Sequence, residues 1–235
     1  MNFSLIIPTY KEFENLKWLL PEIFKHFKEN NLNGQVIVVD DNSQDGTNEL
    51  LEELKKNNPL QYLSRTTERG LSSAVLAGFR LANTEILGVM DADGSHPVSA
   101  LKEMIKTIAE ADVSMVIGSR FVKGGGCEGW PMNRYFISWV ARMLARPLFK
   151  TKDLTSGYFF FKSSKIADLK TMQVLGFKIG LAILAKIPQN EVREVPIVFT
   201  DRRYGESKLG GQQITEYINQ LLDIYKERIK FGNYK

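Results

Sequence analysis

Cysteine is nearly missing from the 235-residue sequence: Cys127 is the one thiol, so no internal disulfide can form. That is the pattern of a chain kept in a reducing compartment, on the cytoplasmic side of a membrane. Long apolar runs are missing too. The longest, Tyr135 to Phe149, is broken by Arg142 and Arg146, and a spanning helix needs about 20 apolar residues. Before the first strand-like run, Phe3 to Ile7, there is no basic segment leading an apolar signal core, so the reading predicts no secretion. Charge of one sign is not in large excess: 31 Lys and Arg against 27 Asp and Glu give a net +4. This is too mild for a dedicated nucleic-acid binder, although local basic clusters can still grip phosphates. No G-x-G-x-x-G follows the first strand, and this removes the pyrophosphate turn that a nicotinamide-dependent dehydrogenase requires.

With 43% hydrophobic residues, the chain can bury one continuous core, and a single domain over 1–235 is expected. The first half alternates strand-like runs with helical patterns: Phe3–Pro8, Leu16–Phe27, Gln35–Asp40, Thr47–Lys56, Leu60–Ser64 and Ser72–Ala82. That order predicts β-α units, and the all-apolar runs Val36–Val39 and Ile86–Met90 predict parallel strands covered on both faces. The fold class is therefore α/β, a doubly wound, mostly parallel sheet with helices on both faces. Leu16, Leu19, Leu20, Ile23, Phe24 and Phe27 form one stripe on the first helix, and Pro21 is expected to kink it. Beyond Lys150 the alternation weakens. Ser156–Lys162 and Val192–Phe199 read as strands, and Ile214 to Ile229 as an amphipathic C-terminal helix packing on the domain.

Ligands of doubly wound sheets bind beyond the carboxyl ends of the strands. There the sequence has Pro8-Thr-Tyr-Lys-Glu12, Asp40-Asp-Asn-Ser-Gln-Asp-Gly46 and Asp91-Ala-Asp-Gly-Ser95. Tyr10 suits stacking on a base, and Glu12, Asp40 and Asp41 suit hydrogen bonds to a ribose or base. Asp91 and Asp93 suit Mg²⁺ or Mn²⁺ bridging a diphosphate, since hard cations take oxygen ligands. The competing reading makes them caps for a helix starting near Pro97. His96 reads as a loop residue. Arg134, Ser138, Arg142 and Arg146 recur every four residues, so a helix here presents them along one face, beside Phe136, Ile137, Val140, Met143 and Leu144. Arginines beside an apolar surface suit a lipid phosphate; an ordinary amphipathic helix is the alternative.

Taken together, Pro8-Thr-Tyr-x-Glu12, Val38-Val-Asp-Asp-Asn-Ser-x-Asp-Gly-Thr47, Asp91-Ala-Asp93, Gly118-Ser-Arg120 and Asp153-Leu-Thr-Ser-Gly157 resemble the inverting family 2 glycosyltransferases. Arg69-Gly-Leu, Lys123-Gly-Gly-Gly with Gly129-Trp130, and Asp201-Arg-x-x-Gly-Glu-Ser-Lys-Leu209 narrow the resemblance to the dolichol-phosphate and other polyprenyl-phosphate mannosyltransferases. The resemblance implies a GT-A type fold, with residues 1–120 binding nucleotide sugar and metal and 121–235 binding acceptor and capping the site. It implies that Pro8, Tyr10, Glu12 and Asp41 hold the nucleoside, and that Asp91 and Asp93 hold the metal. Arg202 and Lys208 would meet the diphosphate with help from Arg69, and Arg120, Arg134 and Ser138 would meet the acceptor phosphate. Asp93 would then be catalytic with Arg120, Arg134 and Ser138. GDP-mannose is the implied donor, with UDP-glucose and a non-catalytic nucleotide-sugar-binding module as alternatives. The sequence departs from its relatives twice: Ala182 stands where many carry an acid, and the transmembrane segments that follow the last helix in many of them do not appear. The second departure implies a peripheral enzyme of the subtype that works with small membrane partners.

These readings predict reversible association with a membrane surface through the Arg134–Phe149 face. In liposome flotation the protein should bind anionic vesicles and leave them in high salt. Retention through salt and carbonate washing would contradict a peripheral attachment.

Overall fold

The computed structural model describes residues 1–129, 132–172, 179–202, 204 and 218–226, with the side chains of 132–137 outside the description. Its first half follows the predicted order: β1 (Asn2–Thr9), α1 (Phe13–Glu29), β2 (Asn33–Asp40), α2 (Thr47–Lys55), β3 (Leu60–Ser64), α3 (Leu71–Leu81) and β4 (Ile86–Val89). Pro21 lies inside α1, which continues through it. Then come α4 (Leu101–Ile108), β5 (Met115–Ser119), β6 (Gly126–Cys127), α5 (Met132–Ala145), β7 (Phe159–Lys162), α6 (Ile179–Lys186), β8 (Val192–Pro196) and β9 (Val198–Phe199). The strand expected over Val192–Phe199 is thus two: β8 extends the main sheet, whereas β9 pairs with β6 in a small second ladder.

The main sheet runs β3-β2-β1-β4-β7-β5-β8. All neighbouring pairs are parallel except those of β7, which is antiparallel to both β4 and β5. Successive residues of a strand point to opposite faces, and the core divides accordingly. Phe3, Leu5 and Ile7 of β1 and Phe160 of β7 pack with α1 and α4, while Ile6, Phe159 and Phe161 pack with α3, α6 and Leu148. Near-continuous apolar strands follow from this double cover. Ala141 and Ala145 of α5 and Leu221, Ile224 and Tyr225 of the helical stretch 218–226 join the second core. Trp139, Met143, Leu144, Ile218 and Leu222 on the same elements stay exposed. Among the described residues, no helix is long and apolar enough to cross a membrane.

Because β7 runs backwards between two forward strands, its beginning lies beside the ends of both. Phe159 is in register with Val89 of β4 and Ile117 of β5. The loop entering β7 therefore meets the loops leaving β4 and β5, and this places the site.

The β4–β7 contact depends on one missing side chain. Gly88 faces Phe160, and a Cβ there would lie 2.2 Å from a ring carbon. Gly88→Ala should lower stability by about 1–3 kcal/mol, with several degrees lost from the Tm. Adding Phe160→Leu should recover much of the loss; thermal unfolding of the single and double variants checks both.

Candidate functional site

On the β1–β3 side, the loops are tied together by buried carboxylates. Asp40 is fully buried and accepts hydrogen bonds from the Ser43 backbone N–H (3.0 Å), the Ser43 hydroxyl and the Ser64 hydroxyl (3.5 Å). These bonds shape the loop after β2. Asp41 accepts from Arg65 Nε at 2.8 Å, again from the second Arg65 nitrogen, and from the Gly70 N–H at 2.8 Å. Arg65 also donates to Ser73 Oγ at 3.0 Å and to the Gly70 carbonyl at 3.2 Å. Fastened in this way, the 65–70 loop sets the Arg69 guanidinium 4.9 Å from the centre of the Tyr10 ring, in cation–π range. Glu12 accepts from Asn15 Nδ2 at 2.6 Å, and the same amide reaches the Tyr204 carbonyl. Pro8 is buried at the end of β1. Lys11, Asn42 and Gln44 all adopt positive φ, at 57°, 58° and 53°. Non-glycine residues held there mark loops over-determined by their surroundings, and the Lys11 N–H donation to Ser43 Oγ at 2.8 Å joins two of them.

After β4, neither Asp91 nor Asp93 caps a helix: the turn at Val98–Ala100 and α4 both lack side-chain caps. Asp93 accepts the Ser95 N–H at 3.0 Å and pairs with Arg202 at 3.2 Å. Asp91 is the more open carboxylate, its side chain 36% exposed. A Cβ on Gly157 would lie 2.7 Å from Asp91 Oδ2, so a side chain there would push the Asp91 carboxylate from its present position. His96 is buried between Tyr158 and Phe199, with ring centroids at 5.2 and 5.4 Å. Burial holds its pKa below the ordinary value against the opposing pull of Asp91 and Asp93. Its Nδ1 lies 3.9 Å from Asp91 Oδ2.

The third group sits where β5 ends and β7 begins. Arg120 donates from Nε and a terminal nitrogen to the two oxygens of Asp153, at 2.8 and 2.7 Å, and from its own N–H at 3.0 Å. It also reaches Thr155 Oγ1 at 2.8 Å. Burial alone would raise the Asp153 pKa, but the guanidinium overcomes that and holds it below the usual carboxylate range. Arg120 is raised by the same partner against its own burial. Glu194 of β8 accepts the N–H groups of Lys152 and Asp153, at 2.9 and 3.0 Å, and so fixes the loop from the other side. On α5, Ser138 Oγ is buried with no hydrogen-bond partner among the described residues, and Arg142 lies 4.0 Å from the centre of the Phe121 ring. The Arg134 side chain and all of Lys208 lie outside the described residues.

The structure therefore brings Asp91, Asp93, Arg202, Arg120 and the 153–157 loop to one end of the sheet. Pro8, Tyr10, Glu12, Asp41 and Arg69 collect at the neighbouring strand ends. Sequence reasoning missed Arg65, although it directly follows β3, where the strand-end rule should have drawn attention to it. Asp153, which the sequence shows only as part of Asp153-Leu-Thr-Ser-Gly157, is the partner of Arg120, a pairing 33 positions apart that has no periodic signal. Among the described residues, no three His, Cys, Asp or Glu gather around one point.

Residues 4–170 match Glycosyl transferase family 2. A dolichol-phosphate mannosyltransferase of Pyrococcus furiosus is 40% identical over 96% of this chain, which spans 64% of that protein's length. A dolichol-phosphate mannosyltransferase of Saccharomyces cerevisiae is 38% identical, over 99% of this chain and 89% of its own length. Among solved structures, a mannosyltransferase from Pyrobaculum calidifontis in complex with GDP-Man and Mn²⁺ superposes with a TM-score of 0.64 at 19% identity, covering 94% of this chain and 64% of that one. The last likeness is one of fold, a GT-A-like α/β sheet. On the family match over most of its length and on these relatives, the chain is a glycosyltransferase and belongs to glycosyl transferase family 2.

Proposed function

We propose that the protein transfers mannose from GDP-mannose to the phosphate of a dolichol or other polyprenyl phosphate, with inversion at the anomeric carbon and with Mg²⁺ or Mn²⁺ as cofactor. The observation that carries the reading is the near-complete alignment with proteins named dolichol-phosphate mannosyltransferase, in a chain whose acidic and arginine-bearing loops meet around β7. The domain divides functionally: 1–120 chiefly takes the donor, and 121–235 takes the acceptor and caps the site, with Arg120 at the boundary facing the acceptor and Arg202 and Lys208 reaching back to the diphosphate.

On the donor side, Pro8, Tyr10, Glu12 and Asp41 receive the nucleoside, with Asp40 shaping their loop. Tyr10 offers a ring face that Arg69 covers in this structure, so a base would enter there as Arg69 turns toward the phosphates. Asp91 and Asp93 fit a hard divalent cation: they offer only oxygen donors, lie on one short loop and serve as no helix cap. A bound Mg²⁺ or Mn²⁺ supplies positive charge for the departing diphosphate. Arg202, already beside Asp93, adds charge at the same place, with Lys208 as its expected partner.

On the acceptor side, the nucleophile is a phosphate monoester, largely ionised at neutral pH with a second pKa near 6. It needs no protein base, so Ala182 costs the reaction nothing. One phosphate oxygen forms a bond to the anomeric carbon as the bond from that carbon to the diphosphate oxygen breaks, and GDP carries the electron pair away. The protein's share is alignment and charge. Arg120, set by Asp153, is joined by Arg134 and Ser138 from α5 to hold the phosphate. Exposed Met143 and Leu144 continue apolar surface from there, which suits the lipid chain and peripheral attachment to a membrane.

Incubation with a panel of nucleotide sugars, polyprenyl phosphate and Mg²⁺ or Mn²⁺ should give a mannosylated lipid phosphate by mass spectrometry. Glucosyl transfer from UDP-glucose, or no transfer, would refute the donor assignment or the activity. Calorimetry should find GDP binding much weaker in EDTA than in Mn²⁺, because a diphosphate would otherwise face Asp91 and Asp93 directly. Equal affinity in both would remove the metal role. Arg134→Ala should raise the acceptor KM and lower turnover while leaving GDP affinity within about twofold; equal loss on the donor side would contradict the two-sided site.

A further inference from the structure

We infer that Arg142 is a further acceptor-binding residue, contributing a guanidinium to the lipid phosphate beside Arg120; this rests on the proposed transfer to a polyprenyl phosphate. The inference starts from an imbalance of charge around one aromatic ring. Phe121 has the Arg120 guanidinium 5.2 Å from its centre and the Arg142 guanidinium 4.0 Å from it. Arg120 is compensated by the buried, bidentate Asp153. Arg142 is half-buried, and no carboxylate among the described residues lies within ion-pair distance of it; its guanidinium lies against the Phe121 ring.

Arg142 thus brings to this end a guanidinium that no described carboxylate pairs with directly, and such a charge attracts an anion. The ring keeps Arg142 from relaxing into solvent, since stacking on an aromatic face fixes the guanidinium plane. One helical turn earlier, on the same face of α5, Ser138 Oγ is buried with no partner among the described residues. A planar cation and an unsatisfied hydroxyl, one turn apart, match a tetrahedral oxyanion: the first gives two parallel N–H donors, the second one O–H. Arg146, a further turn along, is exposed and is not included. Sequence periodicity gave all four positions equal standing; burial and the Phe121 contact distinguish Arg142.

Phosphate oxygens come from two sources here, the donor diphosphate and the acceptor monoester, and the inference commits to the acceptor. Arg142→Gln and Arg142→Met keep most of the stem but lose the charge. Each should raise the KM for polyprenyl phosphate about tenfold or more, the range for one charge-assisted contact, with GDP affinity in Mn²⁺ unchanged. Arg142→Lys, which keeps the charge but not the fork, should lie between these and the unmodified protein. Calorimetric titration of a short-chain isoprenyl phosphate reads the same site without turnover and should show the same order. If the unmodified protein bound that phosphate yet transferred no mannose, the proposed activity would fail while this site stood. An unchanged acceptor KM and phosphate affinity in Arg142→Met would make Arg142 a packing residue and overturn the inference. Parallel loss of GDP binding would assign it to the donor side and overturn it equally. Should the neutral variants unfold, Arg142→Lys and Phe121→Leu decide: both must weaken phosphate binding, and normal affinity in both would overturn the proposal.

Discussion

The pair formed by Arg120 and Asp153 is buried on both sides, yet it stands at the end of a sheet where a charged substrate would arrive. Carboxylate and guanidinium are joined bidentately, the Arg120 N–H adds a third bond, and Thr155 and Glu194 fix the surrounding loop. Losing one partner of such a pair costs about 3–5 kcal/mol, because the other charge is left in low dielectric. The pair exists because β7 runs against its neighbours, which brings the start of one strand beside the end of another. The same reversal presses Gly157 against Asp91. One topological feature thus sets the distance between the acidic loop and the arginine loop.

A second buried pair, Asp41 with Arg65, does comparable work at the ends of β1 to β3. It holds the 65–70 loop so that Arg69 reaches Tyr10. The Asp93–Arg202 pair differs, because both side chains retain some exposure and each has a charged group to offer a ligand. Loops at both ends are therefore fixed before substrate arrives, while the contact between them is one that can be exchanged. Such preorganisation lowers what binding must spend on ordering.

α5 and the stretch 218–226 pack on the same core, and the apolar residues they leave outside are large ones. Apolar side chains next to Arg142, Arg146 and Lys226 combine hydrophobic and cationic surface.

The sequence by itself determined the α/β class, the order of the first seven elements and the strand-end loops that carry Tyr10, Asp41, Asp91 and Asp93. These follow from local periodicity and from the rule that places ligands beyond parallel strand ends. Its motifs were also sufficient to identify the family. Tertiary structure decided the rest: β7 reversing between β4 and β5, the split of Val192–Phe199 into two ladders, and Asp40 turned inward while Asp41 takes Arg65. It alone paired Arg120 with Asp153 and set Arg142 against Phe121. Local pattern reports which face of an element is apolar, because neighbours three or four apart share a helix face and alternate residues share a strand face. Contacts between residues far apart in the chain depend on strand order and direction, which leave no period in the sequence.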